Sequence, residues 1–295
     1  MSGINAKWGY LFILSIIWGS SFILIKKSLL GLTPYQLGAL RVVITGLFLF
    51  IPGIKRLKSI TATEWKWLAI SGFLGSFLPA FFFAIAETEI DSAVASIINS
   101  LVPLNTVLLG FAVFKIASTR RQVIGVVIGF IGTALLILKG AHLNPHQNYM
   151  YAGFVVLSTI MYAANVNIIK RHLQQVSAYN IAAGNYAVIT IPGIIVLLFT
   201  DFFSASTFEN PEFKMAMIYV VILSFFGTAV AKVLFNKLVH ISTPVFASSV
   251  TYLMPIVALV WGVLDGEGFS FLQGLASIII LLGVYLSHKR LPKAK

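Results

Sequence analysis

The sequence predicts an all-α integral membrane protein, with ten transmembrane helices arranged as two inverted five-helix repeats. Three observations carry that prediction. Of 295 residues, 58% are hydrophobic and only 10% are charged, whereas soluble domains carry about 25% charged residues. Uncharged apolar windows of about 20 residues, long enough to cross a hydrocarbon core of about 30 Å, recur along the whole length. The second half of the chain also echoes the first.

The spans fall at 8–27, 34–54, 65–86, 92–114, 121–138, 149–169, 178–199, 215–236, 243–264 and 270–287. The first span follows Lys7 and has no small-x-small cleavage pattern after its apolar run, so it is expected to be retained, not removed as a signal. Connections are short, the longest being the polar run from Asp201 to Glu212. Lys and Arg settle the expected orientation. Fifteen of the 21 fall on one side and four on the other, with Arg41 and Lys232 inside spans, and eight of the nine acids lie on the Lys-poor side. Both termini are therefore expected in the cytoplasm. The net charge of +12 is spent facing anionic lipid, which argues against a nucleic-acid partner.

The repeat is read by sliding the chain on itself. A shift of 144 aligns Gly9 with Gly153, Trp18 with Tyr162, Ser21 with Asn165, Arg41 with Asn185 and Tyr35 with Tyr179. A shift of 152 aligns Gly75 with Gly227, Phe83 with Phe235, Ser96 with Ser248, Pro103 with Pro255 and Gly110 with Gly262. A shift of 151 aligns Gln122 with Gln273 and Gly132 with Gly283. The chain thus divides into 1–140 and 141–295, each with five spans. An odd number inverts the second copy relative to the first, an architecture that recurs in secondary transporters with a midplane site.

The fourth span, SAVASIINSLVPLNTVLLG from Ser92 to Gly110, is too polar for lipid. Ser92, Ser96, Asn99, Pro103 and Thr106 fall on one face at helical spacing, and such a face belongs in a protein interior or a wet cavity. Its copy is PVFASSVTYLMPIVALVWG, Pro244 to Gly262. Pro103 and Pro255 are expected to bend their helices at matching points.

These faces suggest a binding wall of Trp18, Ser21, Ser96, Asn99, Ser100, Tyr162, Asn165, Ser248, Thr251 and Tyr252. Aromatic rings beside hydroxyls and amides suit an amphipathic organic solute; the plain alternative is hydrogen bonding between packed helices. Arg41 and Lys232 complete the candidate set. An intramembrane Arg faces the bundle or a wet pathway, where Arg41 would bind a substrate carboxylate or pin neighbouring carbonyls. Lys232 belongs to a stripe of Ser224, Thr228, Lys232 and Asn236. It would either snorkel to the cytoplasmic surface or face the cavity and favour anionic solutes. Gly125, Gly129 and Gly132 form a small-residue face for intramolecular packing or for a homodimer.

No nucleophile and base, carboxylate pair or metal cluster falls within the spans, and His142, His146, His172, His240 and His288 all sit at span ends or in loops. Enzymatic turnover, a metal and a cofactor are not expected. With no cysteine, disulfides are unavailable.

Taken together, WGSSF at Trp18 to Phe22, TPYQLGALR ending at Arg41, the fourth-span segment, its copy ending at Gly262, and Gly266 and Glu267 followed by Gln273 make the chain resemble a known family. That family is the EamA-type branch of the drug/metabolite transporter superfamily, ten-helix bacterial exporters with a duplicated, inverted five-helix unit. The resemblance covers residues 8 to 288. It implies that helices one, three, four, six, eight and nine surround a central pathway while five and ten pack at the periphery. Two departures stand out: Phe114 and Lys115 where the family shows Gly-Glu, and Lys232 where it tends to have an aromatic residue. The glutamate that couples protons in the first helix of the small multidrug members has no counterpart. Potential-driven facilitation and proton coupling through Glu87 or Glu267 both stay open.

The expected function is export of small amphipathic metabolites, amino acids or related compounds, across a bacterial inner membrane by alternating access, as a monomer or homodimer. Efflux of drugs or toxic compounds is the alternative, followed by a membrane enzyme or assembly factor that borrows the fold.

Overall fold

The computed structural model describes residues 3–90, 92–140, 148–264 and 271–287. Gly266, Glu267 and the residues from 288 onward, as well as His142 and His146, lie outside the described residues. Among the described residues there is no β-strand. The helices are α1a (Gly3–Gly19) and α1b (Ser21–Ser28), α2 (Pro34–Gly53), α3a (Ala62–Gly72) and α3b (Leu78–Ala86), α4a (Ser92–Asn99) and α4b (Val102–Ala112), and α5 (Arg120–Gly140). They continue as α6 (Ala152–His172), α7 (Ala178–Leu198), α8a (Phe213–Ile222) and α8b (Ala231–Ile241), α9a (Pro244–Ser248) and α9b (Val250–Leu264), and α10 (Phe271–Ser287). Among the described residues six stretches are long and apolar enough to cross a membrane: Ala6–Ser28, Pro34–Ser59, Ala62–Ala86, Ala152–His172, Ala178–Leu198 and Phe213–Ile241.

Helix starts follow from local chemistry. Thr33 and Gln36 form a reciprocal capping box ahead of α2, with Pro34 in its first turn, and Thr61 and Glu64 do the same for α3a. Thr119 and Gln122 exchange the same pair of bonds at α5. Each box satisfies two backbone donors that a helix start leaves without partners. Ser177 caps α7 through Asn180 N, and Thr243 caps α9a through Phe246 N.

The interiors of the spans are less regular. Residues Phe73–Phe77 join α3a to α3b through a π-helical segment (π1), and Leu223–Val230 join α8a to α8b through another (π2). The fourth helix breaks at Ser100 and Leu101, which places Pro103 in the first turn of α4b, where its missing N–H costs nothing. The second half is interrupted at a different place. The interruption there is at Ser249, and Pro255 lies inside α9b. A proline within a helix withholds the hydrogen bond to the carbonyl four residues before it, here that of Thr251, and α9b runs on through it.

Each half packs against the complementary helices of the other. α1a lies against α8b and α9b, while α6 lies against α3b and α4b. α2 packs along α7, and α5 along α10 in the most extensive contact of the molecule. The small-residue face of α5 is consumed there: a Cβ on Gly132 would reach 2.9 Å from Ile280 N, and one on Gly283 would overlap the backbone of Gly129. The glycines therefore serve packing within the chain. Outward-facing Phe12, Ile16, Leu47, Ile51, Ile131 and Leu282 are exposed, a surface that suits lipid and not water.

A candidate binding cavity between the two halves

The two π segments prepare the centre of the molecule. A π turn breaks the regular i to i−4 ladder and frees carbonyls for other donors. At π2 the Leu223 carbonyl accepts from Thr228 Oγ1 at 3.1 Å, the Ser224 carbonyl from Thr45 Oγ1 at 3.1 Å, and the Gly227 carbonyl from Trp18 Nε1 at 2.9 Å. At π1 the Gly75 carbonyl accepts from Lys232 Nζ at 2.7 Å. Both glycines are needed for close approach. A Cβ on Gly75 would run into the side-chain amide of Asn165, and one on Gly227 would come within 2.9 Å of Ser21 Oγ and of Leu223 Cδ1.

Between them lies a cavity of about 120 Å³, comparable to the ~150 Å³ that admits a benzene ring in a well-studied engineered case. Nine of the twelve residues expected at a binding wall line it: Trp18, Ser21, Arg41, Asn99, Tyr162, Asn165, Lys232, Ser248 and Thr251. Phe22, Phe83, Phe235 and Met254 add an apolar surface, with Phe83 stacked on Tyr162 at 6.1 Å between centroids and Trp18 tilted on Phe235 at 5.2 Å.

Three expected wall residues stand elsewhere. Tyr252 turns outward to α5, its ring over Gly129 and its hydroxyl donating to Val126 O at 2.7 Å. Its neighbour Thr251 takes the cavity side, because successive helix residues diverge by about 100°. Ser96 in α4a and Ser100 at the break after it are buried and are not among the residues that line the cavity. The lining also includes residues the sequence reading did not single out, among them Ser76, Val102 and Tyr186. The matched pair Gly75 and Gly227 and the stripe through Thr228 and Lys232 were signals that pointed to this region.

Both charged residues of the spans line the cavity. Lys232 is only 5% exposed and bonds Gly75 across the cavity, so it does not snorkel. Arg41 donates from Nε to Thr228 Oγ1 at 2.9 Å, a hydroxyl and not a carbonyl. Its repeat partner Asn185 is fully buried and donates to Leu68 O at 2.7 Å, between α7 and α3a. Asn99 Oδ1 is buried without a hydrogen-bond partner among the described residues. Other polar residues of the spans do join helices: Asn105 Nδ2 donates to Thr159 Oγ1, and Asn167 Nδ2 to Thr106 O.

Glu87, just beyond α3b, is 7% exposed. Its Oε2 accepts from Ser92 Oγ at 2.8 Å and its Oε1 has no partner among the described residues. Burial pushes its carboxyl up to about 8, against the opposing influence of Ser92, Lys26 and Arg41. Among the described residues no cluster of three potential metal ligands occurs.

A polar cavity at the meeting of two similar halves, inside a wall of membrane-length apolar helices, defines a multi-pass membrane transporter. The chain belongs to the EamA-like transporter family, whose model matches it twice, over residues 7–138 and 150–288. It is 25% identical over 289 residues to the uncharacterized inner membrane transporter YedA of Escherichia coli K12, covering 94% of this chain and 89% of that protein. An uncharacterized transporter of Methanothermobacter thermautotrophicus is 22% identical over 310 residues, covering 95% and 86%. A solved crystal structure superposes with a TM-score of 0.72 at 18% identity over 96% of both chains, a likeness of fold.

Proposed function

We propose that this transporter exports small amphipathic metabolites, amino acids and related compounds, across the bacterial inner membrane by alternating access between two inverted halves, 1–140 and 141–295. The observation that carries the reading is the central cavity, where polar groups of both halves meet an aromatic wall. Trp18, Ser21, Arg41 and Asn99 come from one half and Tyr162, Asn165, Lys232, Ser248 and Thr251 from the other, so a relative motion of the halves rebuilds the site on either side. The distribution of Lys and Arg supports cytoplasmic termini.

Counterflow of labelled amino acids and related acids in proteoliposomes tests this. Saturable flux is expected, reduced at least tenfold in Asn99→Ala and Trp18→Ala. Absence of saturable flux across the panel would overturn transport of this class, and flux untouched by both substitutions would remove the cavity as the binding site. A periplasmic reporter fused after Lys295 is expected to stay silent; activity would reverse the orientation.

A further inference from the structure

We propose that the solute selected by this cavity is a net anion, a small aromatic or apolar organic acid without a charged ammonium group. The inference rests on the transport reading above and narrows its substrate class to related compounds that keep a carboxylate but lack the ammonium of an amino acid.

Arg41 and Lys232 both line the cavity, and none of its described lining residues is a carboxylate. Among the described residues each cation has one neutral partner, Thr228 Oγ1 for Arg41 and Gly75 O for Lys232. No ion pair joins either to an acid among the described residues. Glu87 bears on Arg41 only through space. Its Oε2 is committed to Ser92, and the residue is absent from the cavity lining. Lys232 is buried and Arg41 partly buried, and cations withdrawn from water in this way carry a desolvation penalty that a single neutral hydrogen bond does not offset.

A carboxylate entering the cavity supplies the missing charge. It meets the Arg41 Nη groups, which make no hydrogen bond among the described residues, and these offer a planar fork that fits two carboxylate oxygens. The Lys232 ammonium and the Tyr162 hydroxyl, which is also without a bond among the described residues, are further donors on the same wall. A zwitterion brings an ammonium into the field of two like charges, with Asn99 Oδ1 as its unpartnered acceptor. Trp18, Phe22, Phe83 and Phe235 take the apolar body, and the volume suits one ring.

The charge has a consequence for energetics. A monoanion leaving an interior-negative cell moves down the potential, by about 2.3 kcal/mol per 100 mV, so its export needs no coupled proton.

The test uses three solutes with one ring and different charge: phenylpyruvate, phenylalanine and phenethylamine, at neutral pH, with the full-length protein in proteoliposomes. Labelled phenylpyruvate is expected to show saturable flux at least tenfold faster than the other two, accelerated by a potassium–valinomycin potential negative on the loaded side. Lys232→Met is expected to lower its rate relative to phenylalanine at least tenfold. Thermal shift by each solute in detergent gives a second readout that does not depend on flux. Faster flux of phenylalanine or phenethylamine, or an unchanged anion preference in Lys232→Met, would overturn the charge inference and leave transport standing. Saturable flux for none of these solutes or the amino-acid panel would remove the transport reading itself.

Discussion

Gly75 in π1 and Gly227 in π2 occupy matching places in the two halves, yet unlike side chains answer their carbonyls. Gly227 faces Ser21 and accepts from Trp18, while Gly75 faces Asn165 and accepts from Lys232. The sequence shift that pairs Ser21 with Asn165 and Trp18 with Tyr162 makes Tyr162 the symmetric donor to Gly75. Lys232 has taken that place, and its own counterpart in the first half is Ala80. The backbone device is duplicated: a π turn, a glycine and a freed carbonyl. The side chains on it have diverged, and with Arg41 opposite to Asn185 they leave two positive charges in a site that a strictly symmetric dimer would duplicate. The duplicated backbone is the common scaffold, and the side chains set on it differ between the halves.

The largest effect should come from the glycines. Gly75→Val drives a side chain into Asn165, which is held in place by a 2.6 Å bond from Ser71 Oγ, and is expected to cost more than about 3 kcal/mol and most of the monodisperse protein on size exclusion. Gly227→Val meets the movable ends of Ser21 and Leu223 and should cost about 1–3 kcal/mol. Equal losses would mean that the two contacts are equally rigid.

A smaller pair of effects separates scaffold from charge. Trp18→Phe leaves the Gly227 carbonyl without its donor, and the thermal midpoint in detergent should fall by the equivalent of about 0.5–1.5 kcal/mol. Lys232→Met removes a bond to the matching carbonyl and also a buried charge, so the solute-free protein is expected to be unchanged or more stable. A loss as large as that of Trp18→Phe would show that Lys232 is retained for packing.

The smallest effect concerns the end of α3b, where Glu87 stands opposite Val239 in the repeat alignment. Its carboxyl holds its proton to about pH 8 in the fold, against an ordinary value of 4.5. The folded state then binds the extra proton between those values, and stability falls as pH rises through that window. Glu87→Gln should flatten the midpoint between pH 5 and 8, removing a slope no larger than about 1.4 kcal/mol per pH unit. An unchanged slope would place the titration elsewhere.

Much of the site was legible in the chain because hydrocarbon penalises every polar atom. Asn99, Asn165, Arg41 and Lys232 stand inside spans, and each had to be inward-facing or expelled to the surface. Lys232 shows the limit of that argument. Two turns from a helix end, its reach allowed water or the cavity, and the nearby carbonyl of Gly75, more than 150 residues away in the chain, decided for the cavity.

The sequence by itself determined the membrane class, the repeat and its pairing of Gly75 with Gly227, because composition and periodicity are set one helix at a time by the solvent each helix meets. Tertiary structure alone decided that Thr251 faces the cavity while Tyr252 faces α5, that the ninth helix breaks at Ser249 and not at Pro255, and that α5 spends its glycines on α10. A helical period says which residues share a face but not which neighbour that face will meet. A carbonyl freed by a π turn is satisfied only by a donor that another helix brings to it.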